Sequence, residues 1–182
     1  KEWLYQLLMD DYTVTRSPRS YNSQIGVPLS VWGLWAQSQI GIFEAAISQP
    51  GEMEALEAII QPTIGVFTCL GSAHQENFES MEQKCTEKLQ LFRDAQTLIY
   101  PADDPIVSKC VEQMDFRGKL IPWHRTGKGA MEDNKEICRA VCRHLGMSEE
   151  VISERVARLE PVAMRLEVKS GCNGCTLIND SY

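Results

Sequence analysis

Apolar residues recur along the chain at two spacings, and their alternation predicts strands and helices in turn. Leu4, Leu7 and Leu8 form a helical stripe over residues 1–9, with no capping residue ahead of it. Residues 12–16 read as a short strand and 17–26 as a polar loop. Pro28 suits the first turn of a helix whose stripe runs through Val31, Leu34 and Trp35. The continuous apolar runs 40–45 and 64–69 suit strands buried on both faces. The first closes at Glu44 and the second opens into Gly71-Ser72-Ala73-His74. A helix is predicted over 52–60, ended by Gln61-Pro62. Met81, Cys85, Lys88, Leu89 and Phe92 trace the next one. A strand over 97–100, a helix over 105–114 and a strand over 118–122 follow.

This order predicts an α/β domain with a doubly wound, mostly parallel sheet. The last third differs. Two helices are expected over 131–145 and 148–159, with Gly146 between them as a C-cap. A β-hairpin is expected from 163–168 and 175–178 around the Asn173-Gly174 turn. A boundary near Glu160-Pro161 would divide the chain into a domain over 1–160 and the start of another over 161–182. Residues 124–130 pass from a strand directly into a helix, which points to a segment missing around 126–132.

Composition narrows the partners. Apolar residues make up 43% and charged residues 24%, as in ordinary globular proteins. The net charge is −7 with no run of Lys or Arg, which argues against nucleic acid as the main partner. No apolar stretch approaches the ~20 residues of a membrane span, so no membrane insertion is expected. The N-terminus lacks a secretory pattern. Seven cysteines, scattered mostly in apolar segments, read as reduced, buried thiols of a cytoplasmic protein.

In an open parallel sheet, ligands bind beyond the carboxyl ends of the strands. Glu44 and His74 fall there, and a hard cation such as Mg²⁺ accepts oxygen ligands with an occasional imidazole. Spacing alone favours a blander reading, a helix-capping Glu and an ordinary loop His. Lys88 lies on the apolar stripe of its helix, where a lysine usually snorkels to the surface; it could instead aim its amine at a phosphate or metal. Cys172 and Cys175, with Cys138 and Cys142, could in principle hold zinc. The first pair, however, spans a hairpin turn, and the second fits a buried helical stripe. No G-x-x-x-x-G-K-[ST] phosphate cradle is present. The residues by themselves support an α/β domain with an anion or metal site.

Three segments together resemble the Mur ligases. Asn22-Ser23-Gln24-Ile25-Gly26-Val27-Pro28 resembles the family's Asn-Asn-x-Ile-Gly-x-Pro loop, with Ser23 in place of the second Asn. Phe43-Glu44-Ala45-Ala46 resembles its strand-end glutamate segment. Thr68-Cys69-Leu70-Gly71-Ser72-Ala73-His74-Gln75-Glu76-Asn77-Phe78-Glu79-Ser80 resembles Thr-Asn-x-Gly-x-Ala-His-x-Glu-x-Phe-x-Ser, with Cys69 departing from the Asn. Lys88 follows His74 by fourteen positions, the family's spacing to its active-site lysine. Ala102-Asp103-Asp104, Glu132-Asp133-Asn134, Met164-Arg165-Leu166-Glu167 and Asn179-Asp180-Ser181-Tyr182 resemble later motifs in the family's order.

The resemblance implies a P-loop-type central ligase domain and the beginning of a Rossmann-like C-terminal domain. It is strongest to the branch that adds D-alanyl-D-alanine to a UDP-N-acetylmuramoyl-tripeptide in peptidoglycan precursor synthesis, using ATP and Mg²⁺. Carried over residue by residue, it makes Glu44 and His74 metal ligands. It makes Lys88, free or carbamoylated, a catalytic residue serving the second metal or the acyl phosphate. Asn134, Arg165 and Asp180 would contact ATP, and Asn22 and Ser23 would face the precursor. The Ile178-Asn179-Asp180-Ser181-Tyr182 ending and the Gln75-Glu76-Asn77-Phe78 variant are similar to the form found in Bacteroidetes, commonly fused to an alanine racemase. Pyridoxal phosphate would belong only to that fused domain. On this reading the chain is a fragment lacking the P-loop and N-terminal domain, and it is expected to be inactive alone. Two other readings remain in view: a folylpolyglutamate synthase-like ligase of the same fold, and a non-catalytic α/β binding domain.

Overall fold

The computed structural model describes residues 1–162 and 167–179. The predicted alternation is present. Helix α1 (Glu2–Leu8) leads into β1 (Val14–Arg16), followed by α2 (Gly26–Trp32), β2 (Ile40–Ile42), α3 (Glu52–Ile60) and β3 (Ile64–Val66). Then come α4 (Met81–Leu89), β4 (Thr97–Pro101), α5 (Pro105–Gln113), β5 (Lys119–Trp123), α6 (Ala130–His144) and α7 (Glu149–Ala157). β1 and β2 pair in parallel, Val14 against Ile40. β3, β4 and β5 form a second parallel sheet with β4 in the middle.

Successive residues of β4 point to opposite faces, so Leu98 and Ile99 enter two different cores. Leu98 packs with Met53 and Leu56 of α3, Cys85 and Leu89 of α4, and Val107 and Val111 of α5. Ile99 packs with Leu7 and Leu8 of α1, Ile137 and Val141 of α6, and Ile152 of α7. Helices thus cover both faces, which is the doubly wound arrangement.

Local chemistry fixes the helix ends. Asp104 accepts from the backbone N–H groups of Ile106 and Val107 and caps α5, with Pro105 in the first turn. Ser80 caps α4 by accepting from Gln83 N–H, and Ser148 caps α7 by accepting from Val151 N–H. Gly146 follows α6 at φ 85°, the left-handed geometry that ends a helix. Gly118, just before β5, has no room for a side chain, because a Cβ there would lie 2.5 Å from Gln96 O. That neighbour is backbone and cannot swing aside. Gly118→Ala is expected to cost about 1–3 kcal/mol, measurable as a lower urea midpoint.

One helix is shorter than its sequence stripe. α2 ends at Trp32 rather than running through Leu34 and Trp35. Gly33 follows, and Ser38 Oγ accepts from Trp35 N–H, drawing the backbone out of the helical ladder. No core rewards continuation, since Trp32 and Trp35 are both exposed. The cysteines also depart from expectation: Cys85, Cys110, Cys138 and Cys142 are buried, but Cys69, Cys172 and Cys175 are exposed.

Around the expected boundary, Trp3 Nε1 and Gln6 Nε2 donate to Glu160 O, so the end of the α7 segment is stitched to α1. Beyond it, β6 (Glu167–Ser170) and β7 (Thr176–Asn179) form an antiparallel hairpin. Asn173 and Gly174, at φ 58° and 74°, turn it. The 163–166 part of the expected first strand lies outside the described residues, as do Arg165 and Asp180. Among the described residues no helix is long and apolar enough to cross a membrane.

Candidate active site at the carboxyl edge of the sheets

Residues singled out from sequence gather where the parallel strands end. After β2, Glu44 N–H donates to Ser17 Oγ, and its carboxylate accepts from Asn22 Nδ2 at 3.1 Å. The other carboxylate oxygen lies 3.7 Å from Lys1 Nζ. That ammonium also donates to Ser17 O and Arg19 O, holding the loop after β1 against the start of α1. Asn22 and Glu44 are therefore partners, an arrangement their 22-residue separation did not reveal. Ser23 has a different task. Its hydroxyl accepts from Gly26 N–H and its carbonyl from Val27 N–H, opening α2.

After β3 the chain enters the loop that carries His74. His74 is exposed and left-handed, with φ 58° and ψ 23°. Lys88 is half-buried on α4. Burial holds its amine below the usual lysine range, and the neighbouring charge of Lys84 acts in the same direction. Lys84 is the residue that sequence reasoning missed. It is 1% exposed, and its Nζ donates to Gly71 O at 2.7 Å and Ala73 O at 2.5 Å. The available signal was its place one turn before Lys88, beside Cys85 of the apolar stripe.

Glu52 begins α3 beside this loop. Its carboxylate accepts from Ser48 N–H at 2.6 Å and Gln49 N–H at 3.0 Å. Those bonds, Ser48 first, hold it below the usual carboxyl range, with a smaller contribution from His74. A depressed acid contributes stability above its unfolded value, near 4.5, and loses it as pH falls through the lower folded value. Glu52→Gln is expected to cost about 1 kcal/mol at pH 7. The gap from wild type should close in acid, as read by urea unfolding across pH.

After β4 and β5, Asp103 receives His124 Nδ1 at 2.7 Å and Arg125 N–H at 2.7 Å. Arg125 Nη2 reaches Asp104 at 3.4 Å. Thr126 donates through both its N–H and its hydroxyl to Asp133 Oδ1. The loop from β5 into α6 is thereby pinned at both ends, and Asn134 stands exposed in the second turn of α6. No hydrogen bond or ion pair among the described residues joins Glu44 to His74 or Lys88.

The model of the Mur ligase middle domain matches residues 1–134. The chain belongs to the Mur ligase family. It is 23% identical to the Bacillus subtilis UDP-N-acetylmuramoyl-tripeptide–D-alanyl-D-alanine ligase over 212 residues, covering 100% of the chain and 46% of the relative. A Mycobacterium leprae ligase of the same name is 34% identical over 98 residues, covering 52% of the chain and 19% of the relative. Among solved structures, MurF from Acinetobacter baumannii superposes with TM-score 0.88 at 19% identity, over 100% of this chain and 48% of that one. Thermotoga maritima MurF in complex with ADP gives 0.85 at 23%, over 100% and 50%. The chain spans about half the length of these full-coverage relatives.

The zinc reading fails on where its cysteines lie. Burial raises the Cys138 and Cys142 thiols to about 12 and about 11, while Cys172 and Cys175 lie on the exposed hairpin. Among the described residues no group of three or more His, Cys, Asp or Glu could hold a metal. A hard ion asks less of the protein. Mg²⁺ keeps several waters and takes one or two carboxylates plus substrate phosphates. The half-exposed Glu44 carboxylate, an oxygen donor at a strand end, fits that demand, and the exposed His74 imidazole is compatible with it. The unmodified Lys88 ammonium has no lone pair for a metal; only a carbamate there would be a ligand.

Proposed function

We propose that this domain is the central part of an ATP-dependent ligase that joins D-alanyl-D-alanine to UDP-N-acetylmuramoyl-tripeptide. The observation carrying this reading is the shared location of Glu44, the His74 loop and Lys88 at the carboxyl edge of parallel strands. The names of the full-coverage Bacillus subtilis relative and of the Mycobacterium leprae relative supply the substrate class. A cytoplasmic setting accords with seven cysteines that form no disulfide.

In the proposed reaction a carboxylate of the precursor attacks the γ-phosphorus of ATP, giving an acyl phosphate and ADP. The amine of D-alanyl-D-alanine then attacks the acyl carbon, and inorganic phosphate leaves. The precursor carboxylate and the ATP phosphates are both anionic, so positioning and charge neutralisation supply most of the rate. Mg²⁺, when bound, supplies neutralising charge at the phosphates. Glu44 and His74 are the residues that would hold it. Lys88 places positive charge, or as a carbamate an oxygen ligand, beside the transferring group. Asn134 would contact the adenine, and Asn22, whose amide donates to Glu44, would face the precursor with Ser23. Arg165 and Asp180 would complete the nucleotide site from the next domain. Pyridoxal phosphate has no part in this step and would serve only a separate racemase domain.

The test is a ligation assay on the full-length ligase that carries this domain, with ATP, Mg²⁺, UDP-N-acetylmuramoyl-tripeptide and D-alanyl-D-alanine. The expected result is one phosphate released per amide formed, with the product identified by mass. Ligation of glutamate to a folate-type acceptor instead would move the chain to the folylpolyglutamate synthase-like reading. Absence of both ATP binding and ligation would leave only a binding domain.

A further inference from the structure

Lys84 poses a physical problem that the proposed mechanism does not use. A buried ammonium loses its hydration, at a large cost unless its N–H groups find acceptors or a counter-charge. At 1% exposure Lys84 is effectively out of water, and among the described residues no carboxylate pairs with it. Its compensation is two backbone carbonyls, Gly71 O and Ala73 O, with the Phe78 ring 5.7 Å away.

The location of those carbonyls is informative. They flank Ser72 and come just before His74, which sits in a left-handed conformation unfavourable for a residue with a Cβ. The loop's own backbone bonds are few: Gln75 N–H to Ser72 O, Asn77 N–H to His74 O and Phe78 N–H to Gln75 O. Ahead of His74 Lys84 ties the loop to α4, and behind it Asn77 Nδ2 donates to Ser48 O while Phe78 is buried in the core. Lys84 and Lys88 are four residues apart on α4 and therefore share a face. One helix grips the His74 loop with its second turn and presents Lys88 with its third.

We propose that Lys84 is a positioning residue that clamps the His74 loop to α4 and so fixes His74 relative to Lys88. The proposal rests on the reading that those two residues serve phosphoryl transfer. Lys84 itself touches no reactant; it acts through the loop. A neutral side chain of similar length would fill the space and leave both carbonyls without a donor.

The test uses Lys84→Met and Lys84→Arg in the full-length ligase, read by amide hydrogen exchange and by steady-state kinetics. In Lys84→Met, amides of residues 72–78 should exchange at least about tenfold faster, with the β4 amides unchanged. The kcat should fall about 10–100-fold while the KM for D-alanyl-D-alanine stays within about threefold. In a His74→Ala background the same substitution should lower kcat by less than about threefold, because two residues acting as one unit are not additive. A purely structural role predicts equal losses in both backgrounds. Lys84→Arg keeps donors for both carbonyls and should recover most of the loop protection and of kcat together. Should Lys84→Met fail to fold by circular dichroism, the arginine variant decides: loop exchange and kcat must move together. Unchanged loop exchange in a folded Lys84→Met, or faster loop exchange with wild-type kcat in either variant, overturns the proposal. A wild-type enzyme without ligase activity overturns the function instead, since the exchange measurement still reports the clamp.

Discussion

Replacing His74 by alanine in the full-length ligase is expected to lower kcat by about 10²–10³-fold, and Lys88→Ala to do the same. The two losses have different structural backgrounds. The His74 ring makes no hydrogen bond among the described residues and is exposed, so its removal takes little packing away. The one stability cost is alanine in a left-handed conformation, about 1 kcal/mol. His74→Asn is the matching control, because Asn tolerates that backbone but offers no imidazole. Lys88 is partly desolvated and among the described residues enters no salt bridge, so no buried acid there is orphaned when it is truncated. Both variants should remain folded by circular dichroism while turnover collapses. Turnover within about threefold of wild type, for either one, would remove that residue from the reaction.

The largest stability effect is expected at Trp123. Its side chain is 4% exposed in the core beneath α1, α6 and α7. Its indole N–H also donates to Phe67 O at 3.2 Å. Trp123 ends β5, while Phe67 follows β3, so this one side chain reaches across the central strand β4. Trp123→Ala removes a large apolar volume and the bond together, and is expected to cost about 3–5 kcal/mol. Against a typical domain stability of about 5–15 kcal/mol, that is a severe loss. Trp123→Phe restores most of the apolar area but leaves the Phe67 carbonyl without its donor, so about 1–3 kcal/mol should remain. Urea unfolding of the two variants separates the terms. A loss below about 1 kcal/mol in Trp123→Ala would mean that the site collapses or that the ring is not a keystone. The effect should reach the site too, since Phe67 opens the segment leading to the His74 loop.

Much of the fold was legible because this chain obeys local rules. Pro105 behind Asp104, Gln61 before Pro62, Gly146 after α6 and Asn173-Gly174 in the hairpin each specify a backbone conformation almost alone. Where the local rule had no tertiary reward, reading from sequence overshot. The Val31, Leu34, Trp35 stripe has correct helical spacing, yet the helix stops at Trp32 because nothing covers the face beyond it. Spacing shows which residues could share a face, and burial decides whether that face is used.

The site divides along the same line. Glu44, His74, Lys88 and Asn134 could be nominated from the chain because motif order, strand ends and the fourteen-residue spacing are properties of sequence. The pairing of Asn22 with Glu44, the hold of Lys1 on the loop after β1, and the grip of Lys84 on Gly71 and Ala73 join residues ten or more positions apart. No periodicity encodes them. They depend on how two parallel sheets and their helices close around the strand ends. The sequence determined the elements, their order and the chemistry available at the strand ends, because those follow from local conformational preference and residue type. Only the tertiary structure decided that Lys84 is buried without an acid and bound to loop carbonyls, because desolvation and long-range hydrogen bonding exist only once the chain has folded.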